Sequence, residues 1–312
     1  MRARSIERVV IIFPGALGDF LLALPALRWL RAQHLDARVV LVVSEPLRSL
    51  ARLTGVADAI ASLDAAEAAG LFGGDALPEW LTGRPIVYSW LGAADDDVRG
   101  RMSAAAAHAR FFRVERGQSG LHAAVAYARA VGRASSPSAL AAAARIVLPP
   151  ASGVATSSAE LVVHAGAGTP AKRWDPAGFV QVAHWWRQMG GSVVEIAGPA
   201  EAGAAALLGG ATARDLDLCE LSGVLARGTL YLGNDSGVSH LAGAVGAAGV
   251  VVFGPTDARR WRPIAGNLVA LQARATEPRG FGLTALPAAR VIAALRRRLT
   301  LTRGGPEISV RA

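Results

Sequence analysis

The sequence predicts an α/β protein of two doubly wound, Rossmann-like halves, and three observations carry that prediction. Residues 8–13 (RVVIIF) and 38–44 (RVVLVVS) are continuous apolar runs, the pattern of parallel strands covered on both faces. The first run leads through a glycine turn into residues 20–33, where apolar side chains recur at helical spacing. The same alternation starts again after a Ser-, Ala- and Pro-rich stretch at 135–158, as expected where one domain hands over to another. With 312 residues, each half has material for its own core.

Composition narrows the partners. The apolar fraction is 52%, but alanine inflates it. The longest apolar run, 241–253, carries three glycines and falls short of the roughly 20 residues that cross a bilayer. The N-terminal stretch MRARSIERVVIIFPG has a basic start without a cleavable apolar region, so a cytoplasmic protein is expected. The one cysteine, Cys219, sits in an apolar-periodic stretch and reads as a small core residue, with no internal disulfide and no cysteine metal cluster. A net charge of +9 and a pI near 11.1 call for an anionic partner. Nucleic acid is not expected, because no aromatics interleave with the basic residues and no reading module appears.

Taken in order, the first strand runs into Pro14-Gly15-Ala16-Leu17-Gly18-Asp19 and then the helix. A dinucleotide fingerprint needs a third glycine here, and Asp19 at the helix start would repel a docked pyrophosphate. Asp19 is well placed by the helix dipole, and a plain N-cap role is one reading of it. Glu45 ends the second strand, where a dinucleotide fold holds a ribose, but the glycine pattern argues against that use. Residues 86–90 (IVYSW) read as a strand and 121–131 as a helix. Asp95-Asp96-Asp97 reads as a solvated loop rather than a metal-diphosphate motif. Arg110, Arg113 and Arg116 form a basic segment that would suit an acidic acceptor or, more simply, a solvated face.

After the linker, the expected strands are 161–163, 192–197, 229–233 and 250–253. The expected helices are 176–189, 216–226 and an amphipathic 288–299 ending in three arginines. Two motifs interrupt this series. The strand at 161–163 opens into Ala165-Gly166-Ala167-Gly168-Thr169 and then Lys172-Arg173-Trp174. A loop so poor in side chains brings backbone N–H groups close to an anion, and Lys172 adds a mobile charge. Lys172 is the only lysine; the other 32 of 33 basic residues are arginine. A compact ammonium can follow a moving phosphate in a way that a planar guanidinium does not. The second motif is Tyr231 to His240, YLGNDSGVSH. Its strand, Asn234-Asp235-Ser236-Gly237 turn and helix start place backbone donors and a carboxylate at the carboxyl edge of a sheet. Asp235 there accepts from sugar hydroxyls, and His240, one turn on, either donates to a phosphate or sugar oxygen or is a satisfied buried histidine.

These motifs, with Leu24-Pro25-Ala26-Leu27, Gly198-Pro199-Ala200-Glu201 and Phe253-Gly254-Pro255-Thr256-Asp257, resemble glycosyltransferase family 9, the heptosyltransferases of lipopolysaccharide inner-core assembly. The likeness runs through most of the chain and is poor at 60–145. It implies a GT-B fold, two Rossmann-like domains facing a cleft. On that reading 1–150 binds the acceptor, 151–285 binds the nucleotide sugar, and 286–312 is a helix crossing back to the first domain plus a polar tail. By the same comparison Asp19 is the general base and Lys172 neutralises the donor diphosphate. Gly166, Gly168, Thr169, Ser236, Gly237 and His240 complete the donor loops, Glu201 binds the ribose, and Asp235 contacts the transferred sugar. No metal and no cofactor are implied, since ADP-heptose is a substrate. The implied acceptor is an anionic lipid-linked glycan at the cytoplasmic face of the inner membrane, with Arg110 and Arg113 as candidate contacts. The family pattern is broken at Ala165, where many members have proline, and at Ala247-Ala248-Gly249, which lengthens the segment before the last strand.

Three other readings stay open on the residues alone. One keeps the chemistry and changes the donor to a rhamnosyl or other hexosyl nucleotide. Another is a nucleotide-binding GT-B protein without transfer, against which the set Asp19, Lys172 and Asp235 speaks. A dinucleotide oxidoreductase is weakened by the missing third glycine.

Overall fold

The computed structural model describes residues 8–74, 76–117, 120–149, 159–198, 207–273 and 286–301. The chain divides into two compact units, Met1–Ala143 and Ala144–Ala312. The division falls inside the stretch read as a linker, part of which is helical.

The first unit contains, in order, β1 (Arg8–Ile12), α1 (Leu17–Ala32), β2 (Arg38–Val43), α2 (Arg48–Leu53) and β3 (Ala59–Ser62). It continues with β4 (Ile86–Ser89), α3 (Asp96–Ala105), β5 (His108–Phe111), α4 (Ala123–Ala130) and α5 (Pro137–Ala143). The five strands are parallel, in the order β3-β2-β1-β4-β5. Val9 to Ile12 on the central strand are wholly buried, which is why that run carries no polar alternation. Each such side chain contributes about 1.5–3 kcal/mol relative to exposure. The chain reverses direction of growth between β1 and β4, so the loops that follow those two strands flank the switch point.

Two readings of this unit need correction. Asp19 is not an N-cap: α1 starts at Leu17 with Ala16 at the cap, so Asp19 lies inside the first turn. Asp95-Asp96-Asp97 is not wholly a loop: exposed Asp95 ends the loop and caps α3 by accepting from Val98 N at 3.0 Å, while Asp96 and Asp97 are exposed in the first turn of the helix. The carboxylates there serve a helix whose low apolar content leaves no periodic signal. Glu45 is spent on Arg48 at 2.8 Å.

The second unit contains β6 (Glu160–His164), α6 (Pro176–Gln188), β7 (Ser192–Ala197), β8 (Ala211–Arg214), α7 (Leu218–Arg227) and β9 (Leu230–Asn234). It continues with α8 (Gly237–Ala244), β10 (Ala248–Phe253), α9 (Ala258–Trp261), β11 (Asn267–Gln272) and α10 (Ala288–Leu301). All six strands are parallel, in the order β11-β10-β9-β6-β7-β8. The switch point lies between β6 and β9.

Residues Ala248 and Gly249, read as a lengthened approach to the last strand, are the first two residues of β10. Gly249 pairs with Tyr231 in register and lies so close that a Cβ would overlap the Tyr231 backbone. Nor is β10 the last strand, since β11 follows. Cys219 is half-buried in the first turn of α7 rather than a core residue. The principal contacts of α10 include α6, β9, β10 and β11 of this unit, its Val291 and Leu295 joining a core with Trp174, Phe179 and Trp186.

Candidate active site

The loop that follows β6 is held from across the switch point. Asn234, the last residue of β9, is wholly buried. Its Nδ2 donates to Ala165 O at 2.7 Å, with Gly166 O at 3.4 Å, and its Oδ1 accepts from Trp174 N at 3.0 Å. One amide, with donor and acceptor in a single plane, thus closes both ends of the glycine loop. Arg173 adds a bond from Nη2 to Ala167 O at 3.4 Å. Trp174 anchors the exit: its indole Nε1 donates to Leu286 O at 3.0 Å and its ring meets Phe179 edge-on. Gly166 is buried, whereas Gly168 and Thr169 are exposed, and a Cβ at Gly168 would meet nothing within 4 Å.

Within this frame Pro170–Lys172 forms one 3-10 turn, and Lys172 Nζ stands 2.8 Å from Asp235 Oδ2. The side chains are 33% and 6% exposed, so the carboxylate is buried and the ammonium reaches solvent. Asp235 N is itself fixed by Val252 O at 3.0 Å. An ammonium has three donors, so a bond to Asp235 leaves it able to meet a second anion. The turn then enters α8, where Ser236 caps the helix by accepting from Ser239 N. Gly237 is the first helical residue, and the backbone N–H groups of this turn carry the positive end of the helix dipole. Ser239 is locked beneath, donating to Asn234 O at 2.6 Å and facing Tyr231 Oη at 2.9 Å. His240 is buried one turn after Ser236.

His164, the last residue of β6, places Nδ1 3.3 Å from Ser236 Oγ. Burial first, and then the charge of Arg173, lower its pKa from 6.5 to about 4, so the imidazole is neutral. An unfolded histidine titrates near 6.5, so between there and about 4 the unfolded chain holds the extra proton. The stabilisation is complete above about pH 6.5 and is lost as pH falls through that window, by on the order of 3 kcal/mol. Urea unfolding at about pH 7 and about pH 4.5 checks this. The midpoint should fall with acid in the natural chain and fall less in His164→Gln; equal slopes would remove His164 as the cause.

In the first unit Asp19 is half-buried at the carboxyl end of β1 and accepts a hydrogen bond from Tyr127 Oη at 3.1 Å. Below it lies an aromatic cluster from the ends of β1, β4 and β5. Phe13 meets Trp90 at 5.4 Å and Tyr127 at 5.9 Å between ring centres, and Trp90 meets Phe112 at 4.7 Å. Arg110, on β5, lays its guanidinium over Phe112, and Arg113 and Arg116 are exposed just beyond. The structure thus brings together Gly166, Gly168, Thr169, Lys172, Asp235, Ser236, Gly237 and His240 on one sheet edge of the second unit. It also sets Asp19 and the arginine segment on the carboxyl side of the other sheet. Glu201 lies outside the described residues. Sequence reasoning missed Asn234 as a clamp, His164 and Tyr127. Asn234 and His164 stand inside recognised motifs without an assigned role, but Tyr127 carries no local signal.

Two all-parallel sheets of these orders, each with its loops at a switch point, are two Rossmann-like domains, and the solved structures that the chain resembles share the GT-B fold of glycosyltransferases. Residues 127–280 match the model of glycosyltransferase family 9 (heptosyltransferase). That stretch, just under half of the chain, is similar to a heptosyltransferase domain, and the match marks the chain as a glycosyltransferase. No curated protein sequence matches at a significant level. Among solved structures, the glycosyl transferase family 9 protein of Veillonella parvula is similar at a TM-score of 0.75 and 19% identity, over 96% of this chain and 100% of that one. The E. coli ADP-heptose lipopolysaccharide heptosyltransferase II follows at 0.71 and 16%, over 94% and 99%. E. coli heptosyltransferase WaaC, solved with ADP, gives 0.66 and 19%, over 93% and 99%. Among the described residues no helix is long and apolar enough to cross a membrane.

Proposed function

We propose that the chain transfers heptose from ADP-heptose to an anionic, lipid-linked acceptor of the lipopolysaccharide inner core, with inversion and without a metal. The observation that carries this reading is the Lys172–Asp235 pair on the carboxyl edge of the second sheet, beside the cap of α8. Phosphate and sugar need opposite partners a few ångströms apart, and that pair supplies both. Lys172 and the N–H groups of the 166–169 loop and of α8 meet the diphosphate. The Asp235 carboxylate accepts from hydroxyls of the transferred sugar. As the glycosidic bond to the nucleotide breaks, charge collects on the leaving ADP, and preorganised donors stabilise it there. Asp19 takes the proton from the attacking acceptor hydroxyl, so that the carbon–oxygen bond forms as the bond to ADP opens on the opposite face. Glu201 holds the ribose, an assignment that rests on the family resemblance alone. The +9 charge suits an acceptor bearing carboxylates and phosphates at the cytoplasmic face of an anionic membrane.

Calorimetric titration with ADP, UDP, GDP and dTDP, first without metal and then with magnesium, tests the donor. ADP should bind at least about tenfold tighter than the others, about 1.4 kcal/mol, with no gain from magnesium. Preference for another diphosphate would replace the heptose donor with a rhamnosyl or hexosyl one and keep the transferase. No binding by any of them would overturn the donor site. Release of ADP from ADP-heptose that depends on an inner-core acceptor then tests the transfer itself.

A further inference from the structure

We propose that Tyr127 is the positioning residue of the base: its buried hydroxyl orients the Asp19 carboxylate and ties it to the arginine-bearing segment that follows β5. This rests on the reading of Asp19 given above. Three observations carry it. Tyr127 is 1% exposed, and its Oη is 3.1 Å from Asp19 Oδ1 and 3.3 Å from the backbone N of Glu115. The directions of these two bonds follow from chemistry. A backbone N–H can only donate, so the phenol oxygen accepts from Glu115, and its own proton points at the carboxylate, which accepts. One hydroxyl therefore joins α1, α4 and the segment 112–117, whose carboxylate at Glu115 folds back on Gly117 N at 2.6 Å. The ring itself is held edge-on against Phe13. The pKa of the phenol is raised well above its ordinary value, chiefly by burial and then by the Asp19 charge, so it remains a donor throughout the working range.

A base must be held within a fraction of an ångström and a few tens of degrees of its productive geometry. A carboxylate in the first turn of a helix has two side-chain torsions to lose, and Tyr127 removes that freedom without occupying the catalytic role itself. Nothing in the sequence at 121–131 separates this tyrosine from a core aromatic.

Tyr127→Phe keeps the ring and removes only the hydroxyl. Assayed by acceptor-dependent release of ADP from ADP-heptose, it should lower kcat by about 10- to 100-fold. KM for the donor and ADP affinity should stay within about twofold, the latter read by calorimetry. Asp19→Asn, and the double variant, complete the test. When the base is already gone, adding Tyr127→Phe should cost no further activity, because the hydroxyl acts through the carboxylate. A natural kcat in Tyr127→Phe beside an inactive Asp19→Asn would overturn the positioning role and leave the base standing. Parallel losses of kcat, ADP affinity and melting temperature, repeated in the Asp19→Asn background, would make the tyrosine structural and overturn it equally. An Asp19→Asn protein with natural turnover would remove the base and this inference with it.

Discussion

Asp19→Asn keeps the nucleotide and loses the transfer. The expected fall in kcat is about 10²- to 10⁴-fold, the range that a positioned general base supplies. Asparagine has the volume of aspartate and retains an oxygen to accept from Tyr127, so the first turn of α1 and the aromatic cluster under it should stand. What it lacks is a basic lone pair for the acceptor proton. ADP binding, which the proposed function assigns to the second unit, should change by less than about twofold in calorimetry. That separation is the point of the experiment. If ADP affinity and turnover fell together, Asp19 would be supporting the fold; if neither fell, the proton would go elsewhere.

How far such roles are legible in the sequence depends on where a residue finds its partners. The central strands β1, β2, β6, β7, β9 and β10 are legible because burial on both faces leaves nearly unbroken apolar runs, and β7 matches its expected span residue for residue. The four strands without a sequence signal, β3, β5, β8 and β11, are the four edge strands of the two sheets. An edge strand such as His108–Phe111 or Ala211–Arg214 is short and half exposed, and it has no reason to alternate or to be apolar throughout. The site divides in the same way. Lys172, Asp235 and Ser236 stand out because phosphate chemistry demands glycine, a cation and a helix start close together in sequence. Asn234 reaches Trp174 across 60 positions and Tyr127 reaches Asp19 across 108, separations at which no spacing rule operates. The chemistry of the candidate donor loops is therefore local and readable, while the residues that hold them in place are brought there by the fold.

The other large effect is expected at Lys172. Replacing it by methionine keeps the length of the side chain and removes the charge, so the diphosphate loses a charge-assisted donor. It also meets Asp235, 6% exposed at its side chain, with no ammonium in front of it. ADP affinity should fall by about 10- to 100-fold, in line with the roughly 1.5–3 kcal/mol of a hydrogen bond to a charged group. Turnover should fall further, by about 10²- to 10³-fold, because charge on the leaving nucleotide grows towards the transition state. Since Lys172 is a third exposed, the lost pair should cost only about 1–2 kcal/mol of stability, well below the roughly 3–5 of a fully buried one. Two companions separate the causes. Lys172→Met with Asp235→Asn removes the stranded carboxylate, and should regain stability and part of the ADP affinity while turnover stays low. Lys172→Arg tests why a chain with 32 arginines keeps one lysine. The planar fork restores charge but not the compact, rotatable donor, so ADP should bind nearly as before while kcat stays reduced. Wild-type turnover in Lys172→Arg would show that any cation suffices at this position, and the single lysine would carry no mechanistic meaning.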